Sequence, residues 1–168
     1  PIHEVRMTAL VIMANRAKKA DEPEHKALYT LYLRCSDRIN NWDLVDVTCR
    51  DVVGGYLYKH PELAMKVLTK LAKSDWLWDR RIAMISTVYF IARGQLDEAF
   101  VVAELLLSDN HDLMHKAVGW MLRETGKKDQ GRLRAFLTKH IHELPRTALR
   151  YAIERFEPEE RQYFLRLR

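Results

Sequence analysis

The chain has 168 residues, of which 48% are hydrophobic and 30% charged, and its formal net charge is +5. This length fits one domain with a buried core, and the composition is that of a folded globular protein rather than a disordered one. No apolar run has membrane-spanning length and no signal-peptide pattern opens the chain. Two cysteines, Cys35 and Cys49, are too few for a disulfide framework or a zinc-ligand array. The cysteines are interpreted as reduced thiols, so we expect a cytoplasmic protein.

Apolar residues recur at helical spacing, and Pro, Gly and short polar residues separate the runs. No sustained alternation predicts a strand. The expected helices cover residues 2–17, 24–38, 42–53, 61–71, 76–91, 96–107, 111–125, 129–141, 145–156 and 159–166. The pair Gly54-Gly55 is expected to end the third of them. About ten helices with short links predict an all-α protein in which antiparallel helix pairs stack into a curved α-solenoid.

One stretch stands out from this regular pattern. Asn40 or Asn41 is a suitable N-cap for the third helix. Trp42 and Asp46 follow at positions i and i+4, so they share one helix face. An indole beside a carboxylate is a plausible cradle for a cation, since one supplies a π face and the other a charge. The alternative is that Trp42 belongs to the core and Asp46 is solvated.

The basic charge is unevenly distributed along the chain. Residues 127–168 carry 11 Lys and Arg against 6 Asp and Glu, whereas residues 1–126 carry 17 of each. A localised basic patch indicates a polyanion partner, and the alternative is a well-solvated terminal helix pair. A weak internal repeat adds to this pattern. A basic residue precedes a small residue near the start of three predicted helices, at Arg81, Lys116 and Arg146. Their spacing is in the range of helical-pair repeats, which would make a concave surface positive.

Four sequence blocks, in order and in register, resemble the AlkD-like DNA alkylation repair family. They are Asn41–Asp46, Trp78–Met84, His115–Glu124 and Pro145–Glu154. The resemblance implies a HEAT-like α-solenoid that binds duplex DNA in a positive groove. It also implies a glycosylase that releases cationic alkylated purines, such as 3-methyladenine and 7-methylguanine, without flipping the base into a pocket.

The resemblance assigns Trp42, Asp46, Arg81 and Trp120 to the active cleft of the family. An alkylated purine is already cationic, so its glycosidic bond is weakened and no strong general acid is needed. Asp46 would then stabilise the oxocarbenium-like sugar and orient water. Trp42 and Trp120 would supply π faces, and Arg81 would clamp a phosphate. Since Trp120 follows Gly119, the alternative for this indole is packing, with the glycine making room for a neighbouring helix.

Lys116, Arg146 and Arg150 are further candidates for phosphate contacts, although cations at helix starts are often only solvated. No Schiff-base lysine is evident, so we expect a monofunctional enzyme that leaves an abasic site. His111 and His115 have one spacing used by metal ligands, but no third ligand is evident. We therefore expect no metal and no organic cofactor.

The expected partner is double-stranded DNA containing alkylated purines, bound by a monomer that does not associate with membranes. Chains of the resembled family usually begin with further helices, so residues 1–168 are expected to form one solenoid domain that lacks some of them. Two other functions fit parts of the pattern. One is a non-catalytic DNA-binding solenoid that recognises distorted DNA, and the other is a protein-interaction scaffold.

Overall fold

The structure is a computed structural model, which describes residues 2–167 and is helical through nearly all of them. The α-helices are α1 (His3–Ala17), α2 (Glu22–Arg34), α3 (Trp42–Cys49), α4 (Gly55–Lys59), α5 (Pro61–Ala72), α6 (Leu77–Ser86), α7 (Val88–Ala92), α8 (Asp97–Leu105), α9 (Asp112–Gly126), α10 (Gln130–His140), α11 (Arg146–Ala152) and α12 (Pro158–Leu167). A 3-10 turn covers Ser36–Arg38, and a π-helical turn, Arg50–Gly54, joins α3 to α4.

The helices form two layers. In the first layer α1, α3, α6, α9 and α11 stack in chain order, each against the next. The helices α2, α5, α8 and α10 alternate with them along the chain and pack against them as a second layer. This arrangement is an α-solenoid, in which each helix pair contacts mainly its neighbours. The predicted all-α solenoid is confirmed.

One continuous apolar cluster connects the two layers from Leu10 to Phe164. Each central helix of the first layer contributes a fully buried side chain, namely Leu44, Ile82 and Met121. Burying a side chain of this size contributes about 1.5–3 kcal/mol to stability. The polar residues of the first layer that reach the solvent are therefore held on a rigid support. None of the helices in this described part of the chain has the length and apolar character needed to cross a membrane.

Helix boundaries follow the expected signals at several positions. The Asp21 side chain accepts a hydrogen bond from the Glu24 backbone N–H at 2.9 Å, and Pro23 lies in the first turn of α2. Gly94 has a φ of +83° and follows the end of α7. The helix expected over residues 76–91 is divided at Thr87, whose hydroxyl donates to the Met84 carbonyl at 2.7 Å.

The prediction that Gly54-Gly55 ends the third helix is wrong. The backbone continues from α3 through the π turn into α4. A Cβ at Gly54 would clash with the Ser86 carbonyl oxygen and lie 2.9 Å from the Tyr89 Cβ. Glycine is needed here because the π turn packs directly against the backbone of Ser86, and not because the helix ends. The buried His25 Nε2 lies 3.1 Å from the Asp51 carbonyl oxygen in the same π turn.

We predict that Gly54→Ala lowers the free energy of unfolding by about 1–3 kcal/mol, because the new methyl group meets backbone that cannot rotate away. Gly131→Ala is the matched control. Its Cβ would meet only the Asp129 side chain, at 3.3 Å, so its stability is expected to change by less than about 0.5 kcal/mol. Urea denaturation of the three proteins provides the measurement. Equal stability of the Gly54→Ala protein and the wild type would contradict the close approach.

Candidate active site

The start of α3 is fixed by two asparagines with different partners. The Asn41 side chain accepts a hydrogen bond from the Trp42 backbone N–H at 2.8 Å, so Asn41 is the N-cap. The Asn40 side chain instead accepts from Arg6 of α1 at 2.5 Å. These contacts fix the first turn of α3, in which Trp42 is the first residue.

Trp42 is exposed and Asp46 is largely buried, which is the reverse of the alternative considered for them. Trp42 is 52% exposed, whereas the Asp46 side chain is only 13% exposed. The interpretation of Trp42 as core and Asp46 as solvated is therefore wrong. The buried face of α3 is supplied by other side chains, including Leu44 and Val45. Asp46 lies at the edge of that face, where α3 meets α6.

The Asp46 carboxylate forms a two-pronged ion pair with Arg81. Arg81 Nε donates to Oδ1 at 2.8 Å, and Nη2 donates to Oδ2 at 2.7 Å. The third guanidinium nitrogen, Nη1, donates to the Leu113 carbonyl oxygen at 2.5 Å. The side chain of Arg81 is 6% exposed. A single guanidinium therefore connects α3, α6 and the first turn of α9.

Two opposing effects act on the charge of Asp46. Burial raises the pKa of the Asp46 carboxyl above its ordinary value, while the hydrogen bonds and the charge of Arg81 act to lower it. The net direction is upward, because the side chain is largely removed from water. Asp46 therefore relies on Arg81 to stay ionised, whereas a solvated carboxylate would be ionised at neutral pH without a partner.

A cavity of about 370 Å³ opens directly above this ion pair. Four first-layer helices supply its walls, with Trp42 from α3, Arg81 from α6, Trp120 from α9 and Tyr151 from α11. The other lining residues are Leu113, Lys116 and Arg123. The structure thus brings three of the four predicted cleft residues to one cavity, and Asp46 lies behind Arg81 as its partner.

The meeting of α9 and α11 depends on Gly119. A Cβ at this position would lie 2.5 Å from both the Ala148 carbonyl oxygen and the Tyr151 Cβ. Gly119 therefore makes room for a neighbouring helix, as the packing alternative supposed, and Trp120 beside it both lines the cavity and is partly buried against the core. Sequence reasoning missed Tyr151, although its place one helix along from Gly119 in the same solenoid layer was a usable signal.

The predicted phosphate contacts lie on the helices that carry the cavity. Lys116 is partly exposed and pairs with Asp112 at 2.7 Å across one turn of α9. This hydrogen bond raises the pKa of Lys116. Arg146 and Arg150 are exposed on α11, and among residues 2–167 neither lies within ion-pairing distance of a carboxylate. Arg123 pairs with Glu154 at the rim of the cavity.

The two histidines with metal-ligand spacing bind backbone instead. His111 Nδ1 accepts from the Leu113 N–H at 3.2 Å and caps α9. His115 Nε2 lies 2.6 Å from the Asp109 carbonyl oxygen. In the part of the chain that the structure describes, no group of three or more His, Cys, Asp or Glu side chains is arranged to hold a metal ion.

The sequence model described as DNA alkylation repair enzyme matches residues 1–156. The chain belongs to this family. The matched range of the DNA alkylation repair enzyme family contains every residue of the cavity, and the resemblance seen in the sequence is confirmed. Among solved structures, the chain is similar to a predicted DNA alkylation repair enzyme from Enterococcus faecalis, with a TM-score of 0.74 and 17% identity over 93% of this chain and 70% of that chain. At this identity the likeness establishes the solenoid fold. No curated protein matches the chain in sequence.

We predict that Arg81→Met lowers the free energy of unfolding by about 2–4 kcal/mol, because it leaves the buried Asp46 carboxylate without a partner. The double variant Asp46→Asn/Arg81→Met is the control. It removes the uncompensated charge and is expected to recover at least about 1 kcal/mol of that loss. Chemical denaturation of the four proteins of this cycle gives the coupling free energy, and additive losses would contradict a direct ion pair.

The same variant has an expected pH dependence. Without Arg81 the pKa of Asp46 rises further, so the folded state binds a proton that the unfolded state releases. The free energy of unfolding of Arg81→Met therefore falls as the pH rises from the pKa of Asp46 in the unfolded chain to its higher pKa in the folded protein. The deficit relative to wild type is largest at neutral pH and shrinks towards about pH 4. A deficit that is the same at both pH values would exclude an uncompensated carboxylate.

Proposed function

We propose that this chain is a monofunctional DNA glycosylase that hydrolyses the N-glycosidic bond of cationic alkylated purines in duplex DNA. Its substrates are 3-methyladenine and 7-methylguanine, and the base is not flipped into a pocket. The observation that carries the proposal is a largely buried carboxylate, Asp46, which accepts two hydrogen bonds from Arg81. Arg81 lines a cavity that also has Trp42 and Trp120 in its walls. The proposal includes a single solenoid domain that acts as a monomer in the cytoplasm.

The reaction follows from the charge of the substrate. The bond between the sugar C1′ and the purine nitrogen breaks, and its electron pair neutralises the cationic base. Water then adds at C1′ and loses a proton, which leaves an abasic site. The transition state carries positive charge on the sugar, and a carboxylate in a water-poor site stabilises such charge more strongly than one in bulk water. In this mechanism Asp46 stabilises the developing charge and orients the water.

Arg81 acts here as a positioning residue. Its three hydrogen bonds to Asp46 and Leu113 use three of the five guanidinium N–H groups. The N–H groups of Arg81 that were expected to bind a phosphate therefore donate to the Asp46 carboxylate. Arg81 keeps Asp46 ionised and fixes the orientation of its two oxygens, and at most its remaining N–H groups are available to the DNA.

The two indoles have complementary positions in this scheme. Trp42 is half exposed in the first turn of α3, and Trp120 is partly buried on α9. A duplex that docks on the first layer would meet Trp42 first, and the deoxyribose of the damaged nucleotide would pack against the two ring systems, whose π faces meet the positive charge that develops on the sugar. Each cation–π contact of this kind is worth about 0.5–2 kcal/mol.

The DNA backbone is proposed to lie along α9 and α11, where Lys116, Arg146 and Arg150 provide the phosphate contacts. An exposed lysine–aspartate pair within one helix contributes little to stability. Lys116 therefore exchanges Asp112 for a phosphate at small cost. Arg146 donates only a long hydrogen bond, of 3.5 Å, to the Leu165 carbonyl oxygen, and within residues 2–167 neither Arg146 nor Arg150 has a carboxylate to give up.

Base release from methylated duplex DNA under single-turnover conditions tests the proposal. We predict that Asp46→Asn lowers the release rate by at least about 100-fold, because the substitution removes the charge that stabilises the sugar cation. Binding to the same duplex is expected to change little. Asp97→Asn is the matched control, since it removes an exposed carboxylate on α8 of the second layer, and its release rate should stay within about twofold of wild type.

Three outcomes would contradict the proposal in different ways. Salt-sensitive DNA binding by the wild type without base release would indicate a binding module. Absence of DNA binding would favour a protein-interaction scaffold. Strand nicking, with Lys116 trapped on DNA by borohydride, would show a lyase and exclude the monofunctional mechanism.

We also predict that Lys116→Met reduces the slope of log affinity against log salt concentration by about 1, since one phosphate contact is lost. Lys139→Met is the matched control, because Lys139 also pairs with a carboxylate, Glu104, but lies on α10 of the second layer. Its slope is expected to equal that of wild type. Titration of a labelled duplex at several salt concentrations makes the comparison, and equal slopes for both variants would remove Lys116 from the interface.

A further inference from the structure

Trp76 is an exposed indole at the start of α6 that the proposed reaction does not use. It is 43% exposed, whereas the next two residues, Leu77 and Trp78, pack against the apolar core. Within residues 2–167 the Trp76 ring has no hydrogen-bond partner and no contact with another aromatic ring. The packing of α6 therefore does not need this ring, and its faces are free to contact a partner.

The loop that presents Trp76 is held in place by Arg80. Nη1 of Arg80 donates to the carbonyl oxygens of Ser74 and Asp75, both at 2.9 Å. Its Nε donates to the Asp109 carboxylate at 2.6 Å. The backbone N–H of Trp76 donates to the Ser74 hydroxyl at 3.1 Å. The backbone at Trp76 is thus ordered without a ligand, so binding would immobilise little more than the two torsions of the side chain.

The starts of α3, α6 and α9 lie at one edge of the first layer. Asp46 and Arg81 are each the fifth residue of their helix, and they pair directly. Arg81 also donates to the carbonyl oxygen of Leu113, the second residue of α9. Trp42 is the first residue of α3, and Trp76 is the N-cap of α6. The two exposed indoles therefore belong to the same edge of the layer.

A duplex bound as proposed has to pass this edge. Its proposed contacts include Trp42 and Arg146, which are the first residues of α3 and α11. In the order of the layer, α6 and α9 lie between these two helices. A duplex that reaches from Trp42 to Arg146 therefore crosses the start of α6, where the exposed ring is Trp76.

The composition of the loop suits a sugar better than a phosphate. Lys73 and Asp75 are both exposed there, so their charges cancel and the loop adds no net positive charge. The indole of Trp76 offers a flat apolar surface that can cover the C–H groups of a deoxyribose ring. The phosphates are left to cations such as Lys116 and Arg146.

We propose that Trp76 is a DNA-docking residue whose indole packs against the deoxyribose of a nucleotide flanking the damaged one. This inference rests on the proposed function, because it takes the duplex to lie across the first layer. The base stays in the duplex, and Trp76 contributes to binding rather than to the chemical step.

Affinity for an undamaged duplex tests this role without any dependence on turnover. We expect Trp76→Ala to weaken binding by at least about fivefold, as truncation of an aromatic anchor does in other interfaces. The slope of log affinity against log salt concentration is expected to stay at the wild-type value, because the lost contact carries no charge. Trp76→Phe keeps an apolar ring and is expected to recover most of the loss.

Tyr163→Ala is the matched control, since it removes an exposed aromatic ring, at 57%, from α12 and not from the proposed path of the duplex. Its affinity should stay within about twofold of wild type, and both alanine variants should keep the wild-type unfolding midpoint. Wild-type affinity in Trp76→Ala, or an equal loss in Tyr163→Ala, overturns the inference.

Single-turnover base release from methylated duplex at saturating protein separates binding from chemistry. The rate of Trp76→Ala is expected to stay within about twofold of wild type, because the cavity residues are unchanged. A large fall in this saturating rate would place Trp76 in the chemical step and overturn a docking role. A wild type that binds duplex but releases no base refutes the glycosylase proposal alone, and the affinities still decide the role of Trp76. A wild type that binds no duplex overturns both.

Discussion

The ion pair between Asp46 and Arg81 is the constraint on which the rest of the site depends. It joins α3 to α6, and the third hydrogen bond of Arg81 extends the connection to α9. Desolvating two charges costs several kcal/mol per ion, and apolar residues of similar volume often stabilise a protein as well or better. Stability alone therefore does not explain why a carboxylate and a guanidinium occupy this position. The proposed reaction, which uses an ionised carboxylate in a place from which water is largely removed, gives a reason for both charges.

The solenoid supplies the geometry that this chemistry needs. Because the chain returns to the first layer at α3, α6, α9 and α11, residues at positions 42, 81, 120 and 151 meet at one cavity despite their separation in sequence. Two glycines set how closely neighbouring elements approach. Gly54 lets the π turn contact Ser86, and Gly119 lets α9 contact α11. These contacts use backbone and Cβ atoms, which have no rotamer to adjust, so the distances across the cavity are held more firmly than side-chain packing alone would allow.

Helical periodicity was sufficient to predict the fold, most helix positions and the shared face of Trp42 and Asp46. It was not sufficient to predict which of these two is exposed, because periodicity assigns a face and not a partner. Asp46 is largely buried because Arg81, 35 residues later, offers it two hydrogen bonds. The same limit applies to Gly54, which has the sequence signature of a helix end but lies in a continuous helical backbone, where the missing side chain leaves room for Ser86. Tyr151 was missed because its place in the cavity wall arises from the close contact of its helix with Gly119.

The charges around the cavity are arranged in a way that suits a cationic ligand on a polyanion. Each cation that lines the cavity has a carboxylate partner: Asp46 for Arg81, Asp112 for Lys116 and Glu154 for Arg123. An unpaired cluster of three cations would repel an alkylated purine, whereas paired cations leave the π faces free to attract it. The unpaired arginines lie outside the cavity on α11, where phosphates attract rather than compete. In the proposed complex, the basic excess of the last quarter of the chain would thus add affinity for the DNA backbone without adding positive charge beside the base.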